Sequence, residues 1–542
     1  MDYLRLGLRL GIPVALLASL WIVTRLDRGS AIARRIRSRL LLGMPWGTLL
    51  SALLVSAFYL FVQRGFWYPG TPLTIPFTSW SYLYPLGVAT APFAHQSLGH
   101  LTGNMIGLVT VGTLAEYAFS HFPQARGSAA FDDWKTHPYV RAFVLVPVGV
   151  FLIGLLTSVF AWGPIIGFSG VVFAVAGFAL VRFPLATVVA LVAREFVRTV
   201  YLALRDPIVY ASAGPSFGPP WWAGIAIQGH LLGFLLGAAL AAAILTRRRE
   251  SGRPGALRLW VATVIVGSSL TLWAIWWYSN GSSYVLYRGV GVLLVAVLGV
   301  LLAVTVGASN ARFVAGLTRR QVAMALLTLP ILTMGFVAVP LNASTVGDAT
   351  VPDTAVRVDG YSVTYAENVA DRRIPAIDVS FYDESTTVNA SGVIVINRDR
   401  QVWTEAVSTG RLAHSGQRTI AVGGLTWRRT VEAKREGWRV SGGEIAYRIS
   451  LRPGDGGWRP VFLSPPVRAE PTIAGRNVTV RPENRSFVLE VTRDNRSLGR
   501  APIPAVNESI VIGGLDFTRR GGRIAVSHND TRLPLLQKEE YE

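Results

Sequence analysis

The stretch HQSLGHLTGNMIGLVTVGTLAEY, residues 95–117, is apolar enough to cross a membrane and yet carries His95, His100 and Asn104. A bilayer core about 30 Å thick needs roughly 20 apolar residues per helix. In a helix, His100 and Asn104 lie on the same face one turn apart. Because such side chains are costly in lipid without a partner, the stretch predicts a membrane helix that contributes to a functional site.

The composition of the whole chain is typical of a multi-span membrane protein. Of 542 residues, 51% are hydrophobic and 15% are charged, and the mean hydropathy is +0.40. This is too apolar for an ordinary soluble protein. The net charge is +20, and most arginines in the first half of the chain fall in short clusters between apolar runs. This pattern is typical of membrane topology and not of nucleic-acid binding. The absence of cysteine excludes disulfides, thiolate metal sites and cysteine nucleophiles.

Apolar runs long enough for helices recur along the first 340 residues and predict ten spans. They are 7–24, 46–64, 95–117, 140–160, 168–183, 184–204, 222–246, 258–278, 285–308 and 321–340. A cleavable signal peptide is the alternative for the first span. The segment after this span carries dense positive charge and has no small-residue cleavage site, which argues against a signal peptide.

The arginine clusters predict the orientation of the spans. They lie in segments 25–39, 247–258 and 312–320, and alternating spans place all three on one side of the membrane, the cytoplasm. The N-terminus and the region after about residue 341 are then outside. We therefore expect a multi-pass protein of the cell membrane with an extracytoplasmic C-terminal tail.

Asparagine usage in the tail agrees with that orientation. Of nine tail asparagines, seven stand in N-x-S/T motifs, the acceptors of N-glycosylation. They are Asn342, Asn389, Asn477, Asn484, Asn495, Asn507 and Asn529. Asn280, in a loop predicted to be external, is an eighth. A polar, Ser/Thr-rich tail with chance motifs is the alternative.

The tail also has a different texture from the rest of the chain. Short alternating runs broken by Gly, Pro and Asn predict strands and turns. RTIAVGGLTWRR at 418–429 resembles SIVIGGLDFTRR at 509–520, which predicts two related β units without a catalytic cluster. The predicted layout is an N-terminal helix with a basic linker (1–45), a six-helix core (46–246), three further helices (247–340) and this tail (341–542).

Two more apolar spans carry polar residues beside glycines. In GPIIGFSGVVF, Ser169 is flanked by Gly167 and Gly170; in GHLLGFLLG, His230 is followed on the same helix face by Gly233 and Gly237. Glycines on a helix face let another helix pack very close. Gly167 would likewise let backbone approach a substrate closely.

These three stretches together supply the parts of a serine hydrolase. Ser169 and His230 offer a nucleophile and a general base, and the base needs no third residue if packing fixes its ring. His100 and Asn104 offer side-chain donors for an oxyanion, supplemented by the backbone N–H of Ser169. This chemistry requires neither a metal nor a cofactor. All of these residues fall in the external halves of their spans, so we expect them to meet at one depth.

At this point the sequence resembles the rhomboid family of intramembrane serine proteases. The family's H-x₄-H-x₃-N, G-x-S-G and H-x₂-G-x₃-G motifs occur here in order, in the second, fourth and sixth spans of 46–246. Gly112 and Glu116 match the family's G-x₃-E at the cytoplasmic end of the second of those spans. The resemblance implies a catalytic dyad of Ser169 with His230, an oxyanion site from His100 and Asn104, and a supporting role for His95.

The resemblance also implies an amphipathic loop, here residues 65–93, half-sunk in the outer leaflet. Its expected interfacial aromatics are Trp67, Tyr68, Trp80, Tyr82 and Tyr84. Two positions depart from the family. Phe173 stands where a tyrosine often packs on the histidine, and Trp80 is followed by Ser81 instead of an arginine.

The expected fold is therefore an all-α polytopic membrane protein, a rhomboid-like six-helix core with about four extra transmembrane helices, joined to a β-rich extracytoplasmic C-terminal region. The expected function is a serine endopeptidase that cleaves transmembrane protein substrates near the external face, with the lipid bilayer and cell-envelope partners of the tail as its other contacts. A catalytically inactive rhomboid-like module that binds membrane proteins is the first alternative, and a transporter with a polar path is the second.

Overall fold

The chain forms two compact units in the computed structural model. The structure describes residues 2–26, 30–122, 127–209, 220–248, 254–279, 283–307, 312–314, 316–347, 351–373, 378–379, 384–385, 388–484 and 486–541. The first unit is Met1–Thr345 with Asp378–Thr386, and the second is Val346–Ile377 with Thr387–Glu542. The first is helical and the second is rich in β-strands, as expected. Asn280 lies outside the described residues.

Every one of the ten predicted spans coincides with a helix in the described parts of the chain. The α-helices are α1 (Asp2–Leu26), α2 (Ser30–Arg39), α3 (Trp46–Ala57), α4 (Pro85–Thr90), α5 (Leu98–Gly107), α6 (Thr113–Phe119), α7 (Pro138–Val140), α8 (Val146–Phe160), α9 (Ser169–Arg182), α10 (Pro184–Arg205), α11 (Ile227–Arg248), α12 (Ala256–Ser269), α13 (Arg288–Gly307), α14 (Arg319–Ala343) and α15 (Thr409–Ser415). Single π-helical turns at Phe58–Val62, Leu108–Gly112 and Arg141–Leu145 extend α3, join α5 to α6 and join α7 to α8.

Length and hydropathy single out four membrane-crossing candidates among the described residues. They are Pro138–Phe160, Ile227–Ile244, Arg288–Val306 and Gln321–Ala343. Trp46–Val62, Ser169–Arg182 and Ala256–Ser269 are apolar but shorter.

The predicted span 258–278 was too long at its C-terminal end. Helix α12 ends at Ser269, and Trp276–Ser279 pairs instead with Ser283–Leu286 in an antiparallel hairpin. The aromatic residues in this hairpin are apolar enough to look like a continuing span, but aromatics also favour strands.

Helix α9 is the central helix of the first unit. Eleven of its 14 residues are buried, which is the pattern of a helix surrounded by other helices and not of one facing lipid. At 1.5 Å per residue it is roughly 21 Å long, shorter than a bilayer core of about 30 Å. It packs against α8, α10, α11 and the segment that joins α5 to α6.

The loop at 65–93 is only partly the exposed aromatic segment that was predicted. Trp67 and Tyr68 are exposed, but Trp80 and Tyr84 are buried. The Trp80 indole donates to the Ile75 carbonyl at 2.6 Å, and the Tyr84 hydroxyl donates to the Pro76 carbonyl at 2.9 Å. These two rings therefore form the loop's own core and are not interfacial anchors.

Strands occupy most of the tail. The strands are β1 (Trp276–Ser279), β2 (Ser283–Leu286), β3 (Arg312–Val314), β4 (Leu317–Thr318), β5 (Val356–Val358), β6 (Tyr361–Ala370), β7 (Asp378–Val379), β8 (Glu384–Ser385), β9 (Asn389–Asn397), β10 (Val402–Ser408), β11 (Gln417–Gly423), β12 (Arg428–Val440), β13 (Ile445–Pro453), β14 (Arg459–Leu463), β15 (Val467–Arg468), β16 (Asn477–Pro482), β17 (Phe487–Arg493), β18 (Arg496–Pro502), β19 (Ser509–Ile512), β20 (Leu515–Arg520), β21 (Arg523–His528) and β22 (Thr531–Lys538).

The strands of the second unit follow the same order twice. The sheet β5-β6-β9-β10 precedes the meander β11-β12-β13-β14, and the sheet β15-β16-β17-β18 precedes the meander β19-β20-β21-β22. The two meanders share one larger sheet because β12 pairs with β22. The similar stretches at 418–429 and 509–520 each begin one of these meanders. The pair of related β units and the domain limits stay predictions.

Two sets of charged groups are held inside the tail. Arg435 and Glu539 form a buried pair with nitrogen–oxygen distances of 3.0 Å, and their side chains are 5% and 7% exposed. Nearby, Glu436 accepts from Arg448 at 2.7 Å and lies 2.9 Å from the Lys434 ammonium. Burial acts to raise the pKa of Glu436, but the hydrogen bonds and charges of Lys434 and Arg448 outweigh it and lower that pKa.

Candidate active site

The predicted nucleophile and base lie side by side at the start of two neighbouring helices. Ser169 is the first residue of α9, and His230 stands one turn into α11. The distance between His230 Nε2 and Ser169 Oγ is 2.8 Å. This is the reach that a general base needs to take the proton of a serine hydroxyl. Both side chains are half-buried.

Glycine on the facing helix sides makes this approach feasible. A Cβ added to Gly233 would lie 2.1 Å from the Gly170 carbonyl oxygen, and one added to Gly237 would lie 1.8 Å from that of Ala174. Lower on the same contact, a Cβ at Gly177 would lie 2.3 Å from the Phe234 carbonyl oxygen. Side-chain bulk at any of these positions would force the backbones of α9 and α11 apart.

The imidazole of His230 is oriented by an aromatic ring. Phe173, one turn after Ser169 on α9, stacks on it with ring centroids 4.1 Å apart and an interplanar angle of 16°. Within the described part of the chain, the buried Nδ1 of His230 has no hydrogen-bond partner. Packing, not a third polar side chain, therefore fixes the ring.

His95, His100 and Asn104 lie close together. Asn104 Nδ2 donates to His95 Nε2 at 3.1 Å, and the His95 and His100 rings meet edge to face with centroids 5.1 Å apart. His95 and Asn104 are buried, whereas His100 is half-buried. An amide nitrogen carries two N–H donors, so Asn104 keeps one for another acceptor.

Gly167 links this cluster to the nucleophile. Its φ of +131° favours glycine, and a Cβ there would lie 2.6 Å from His100 Cε1. His100 therefore packs directly on the backbone two residues before Ser169. The N–H of Ser169 belongs to the first turn of α9, where backbone donors have no partner within the helix. His100 thus lies against the backbone that leads into Ser169, and Asn104 is linked to His100 through His95.

Gln63 is a site residue that sequence reasoning missed. It is fully buried, donates to the carbonyls of Leu73 (2.7 Å) and His95 (2.9 Å), and accepts from the His95 N–H at 2.7 Å. It therefore holds the backbone of His95 against the 65–93 loop. A glutamine in the preceding apolar span was the available signal, but no spacing connected it to His95.

Glu116 makes structural contacts at the end of the α5–α6 segment that is opposite to His100. Its carboxylate accepts from the backbone N–H groups of Gly47 (2.9 Å) and Thr48 (2.7 Å), which caps the first turn of α3. His121, which the sequence did not single out, lies 2.8 Å from the same carboxylate and accepts from the Leu41 N–H. These contacts tie α6 to the start of α3.

The described residues contain no group of three or more His, Asp or Glu side chains that could hold a metal ion. The chemistry that this arrangement can perform is that of an activated hydroxyl with donors beside it.

Residues 83–247 match the family model of the Rhomboid domain. No curated protein and no solved structure matches the chain. The matched segment contains Ser169, His230 and the cluster of His95, His100 and Asn104. This match identifies residues 83–247 as a Rhomboid domain.

Proposed function

We propose that this protein is an intramembrane serine endopeptidase that cleaves transmembrane protein substrates. Ser169 is the nucleophile and His230 is the general base. His100, Asn104 and the Ser169 amide form the oxyanion site, with His95, Gly167 and Phe173 in support. The observation that carries the proposal is the 2.8 Å distance between Ser169 Oγ and His230 Nε2 on a helix pair of a rhomboid domain.

The proposed reaction uses one imidazole first as a base and then as an acid in each of its two stages. Ser169 Oγ attacks a peptide carbonyl carbon while His230 Nε2 takes the hydroxyl proton. The carbonyl oxygen becomes an oxyanion that accepts hydrogen bonds from the donors beside Ser169. The imidazolium gives its proton to the leaving amine, and an acyl-enzyme remains. Water then attacks this ester while His230 takes its proton, and the imidazolium returns the proton to Ser169 Oγ as the ester bond breaks, which releases the new carboxyl end and restores the serine.

The length of α9 supports cleavage inside the bilayer. A central helix of roughly 21 Å is shorter than a membrane core of about 30 Å, so at least one of its ends lies below the membrane surface, and we place its first residue there. The arginine clusters favour the external half for that residue. In this orientation the tail lies on the external side of the cell membrane, where substrates or cell-envelope partners are accessible to it.

The test is unbiased identification of cut sites. Wild-type protein reconstituted in vesicles is mixed with total membrane proteins, and new N-termini are sequenced by mass spectrometry. We expect new termini in or beside apolar spans, lost in Ser169→Ala and in His230→Ala. Ser19→Ala, the same change at an exposed position of α1, is the matched control and should cut as wild type does.

Identical termini in wild type and Ser169→Ala would contradict the proposal. Retained capture of membrane proteins in that case would favour the inactive binding module.

A further inference from the structure

Asn342, in the last turn of α14, lies far beyond the matched domain and is almost completely buried. Its residue is 4% exposed. Its side-chain Nδ2 donates to the carbonyls of Ala161 (2.7 Å) and Val159 (3.2 Å), and its Oδ1 accepts from the Gly163 N–H at 3.2 Å. The amide therefore holds the segment that runs from the end of α8 toward Ser169.

The backbone of the same residue holds the 65–93 loop. The Asn342 carbonyl accepts from the Tyr82 N–H at 2.9 Å and from the Ser81 hydroxyl at 3.0 Å. The Tyr82 hydroxyl in turn donates to the Val159 carbonyl at 2.6 Å. Ser81 is where the family often has an arginine, so this contact supplies an anchor for the loop that differs from the usual one.

The two segments that Asn342 contacts also pair with each other close to the nucleophile. Ser79 N–H donates to the Ile165 carbonyl at 3.0 Å, and Gly167 N–H donates to the Ala91 carbonyl at 2.9 Å. Gly167 is the residue on which His100 packs. The two segments held by Asn342 are therefore also hydrogen-bonded to each other on the way to the backbone beside Ser169.

A second contact fastens α14 to the same segment. The Trp162 indole donates to the Met334 carbonyl at 3.0 Å, about two turns before Asn342 along α14. Gln228, two residues before His230, accepts from the Trp162 N–H at 2.9 Å and donates to the Phe160 carbonyl at 2.8 Å. The 159–163 segment is thus hydrogen-bonded both to α14 and to α11, the helix that contains His230.

We propose that Asn342 is a positioning residue of the active site, through which α14 sets the geometry of the segment before Ser169 and of the 65–93 loop. The effect on catalysis rests on the proposed function. The positioning itself rests only on the contacts above. A consequence concerns the Asn342-Ala343-Ser344 motif: because its amide is buried and hydrogen-bonded, Asn342 is not accessible to glycosylation once the protein has folded.

The experiment compares Asn342→Ala with Ser344→Ala in the full chain. Both changes destroy the N-x-S motif, but only the first removes the amide. Two quantities are measured: hydrogen–deuterium exchange of peptides spanning 78–84 and 159–168, and the rate at which a fluorophosphonate probe labels Ser169.

For Asn342→Ala we expect faster exchange in both peptides and a labelling rate that falls about tenfold or more. A displacement of the reacting groups by up to about 1 Å is enough to slow the reaction by this factor. Ser344→Ala should match the wild type in both. If Asn342→Ala does not yield folded protein, Asn342→Asp keeps the size and the acceptor and loses the two donated bonds, and the same directions are expected.

Wild-type exchange in both peptides of a folded Asn342 variant would overturn the proposal, whatever the labelling. Faster exchange in a protein whose wild type never labels would sustain the positioning role and refute the proposed function instead. Equal defects in Asn342→Ala and Ser344→Ala would assign the effect to the lost motif and also overturn it.

Discussion

The close contact of α9 with α11 makes Gly233→Ala the most informative single substitution. The new Cβ would lie 2.1 Å from the Gly170 carbonyl oxygen, whereas ordinary contact begins at 3.4 Å. Because a backbone carbonyl cannot rotate away, the helices must separate by roughly 1 Å at this level. The 2.8 Å distance between Ser169 and His230 then lengthens to about 4 Å, beyond hydrogen-bond range. We expect the labelling rate of Ser169 to fall about 100-fold, which is about 2.7 kcal/mol of barrier.

The assay for this prediction is labelling by a fluorophosphonate probe, with the thermal midpoint measured on the same sample. Overpacking also costs about 1–3 kcal/mol of stability, so rates are compared per folded molecule. Gly149→Ala in α8 is the control, because a Cβ there meets nothing within 4 Å. It should label as the wild type does. A Gly233→Ala protein that labels at the wild-type rate would refute the claim that close helix packing sets the dyad.

Three further predictions test other parts of the structure. Phe173→Leu removes the ring stacked on the imidazole and should slow labelling between about twofold and tenfold, since such a contact contributes about 0.5–1.5 kcal/mol. Phe173→Tyr should keep the labelling rate, and equal rates in the two variants would contradict the stacking role. Glu539→Ala leaves Arg435 buried without its partner and should lower the free energy of unfolding of the tail by about 3 kcal/mol or more, while Glu483→Ala, in an exposed ion pair, should cost about 1 kcal/mol or less by the same denaturant titration. The pKa of Glu436 is lowered in the folded tail, so the carboxylate stabilises the fold at pH values above its ordinary pKa, and this stability is lost as the pH falls through the folded pKa. The thermal midpoint of Glu436→Gln should therefore lie below that of the wild type at pH 7 and approach the wild-type value in acid. A difference between the two midpoints that does not change with pH would contradict this prediction.

The site could be predicted from the sequence where its residues obey helical spacing. His100 and Asn104 lie one helical turn apart, as the spacing implied, whereas the contacts of both with His95 followed only from the family resemblance. His230 and its two following glycines share one face, and that face contacts α9. In an apolar helix such polar and small residues are conspicuous, so their grouping is visible without coordinates.

Other features depend on contacts between distant parts of the chain. Asn342 is hydrogen-bonded to residues roughly 180 and 260 positions earlier, and nothing in its local sequence separates it from the six other N-x-S/T asparagines of the tail. Trp80 and Tyr84 look like interfacial aromatics by composition, yet they fold back onto carbonyls of their own loop. The end of α12 was misplaced because hydropathy does not distinguish a helix from an aromatic hairpin.

The measurement that tests the central claim most directly is mass spectrometric mapping of a fluorophosphonate adduct on the wild-type protein, with His230→Ala measured alongside. An adduct on Ser169 that disappears or slows at least about 100-fold without the imidazole is the predicted result, because an unactivated serine hydroxyl is a weak nucleophile. No adduct on Ser169 in folded wild-type protein, or an adduct that forms equally well in His230→Ala, would contradict the Ser–His dyad.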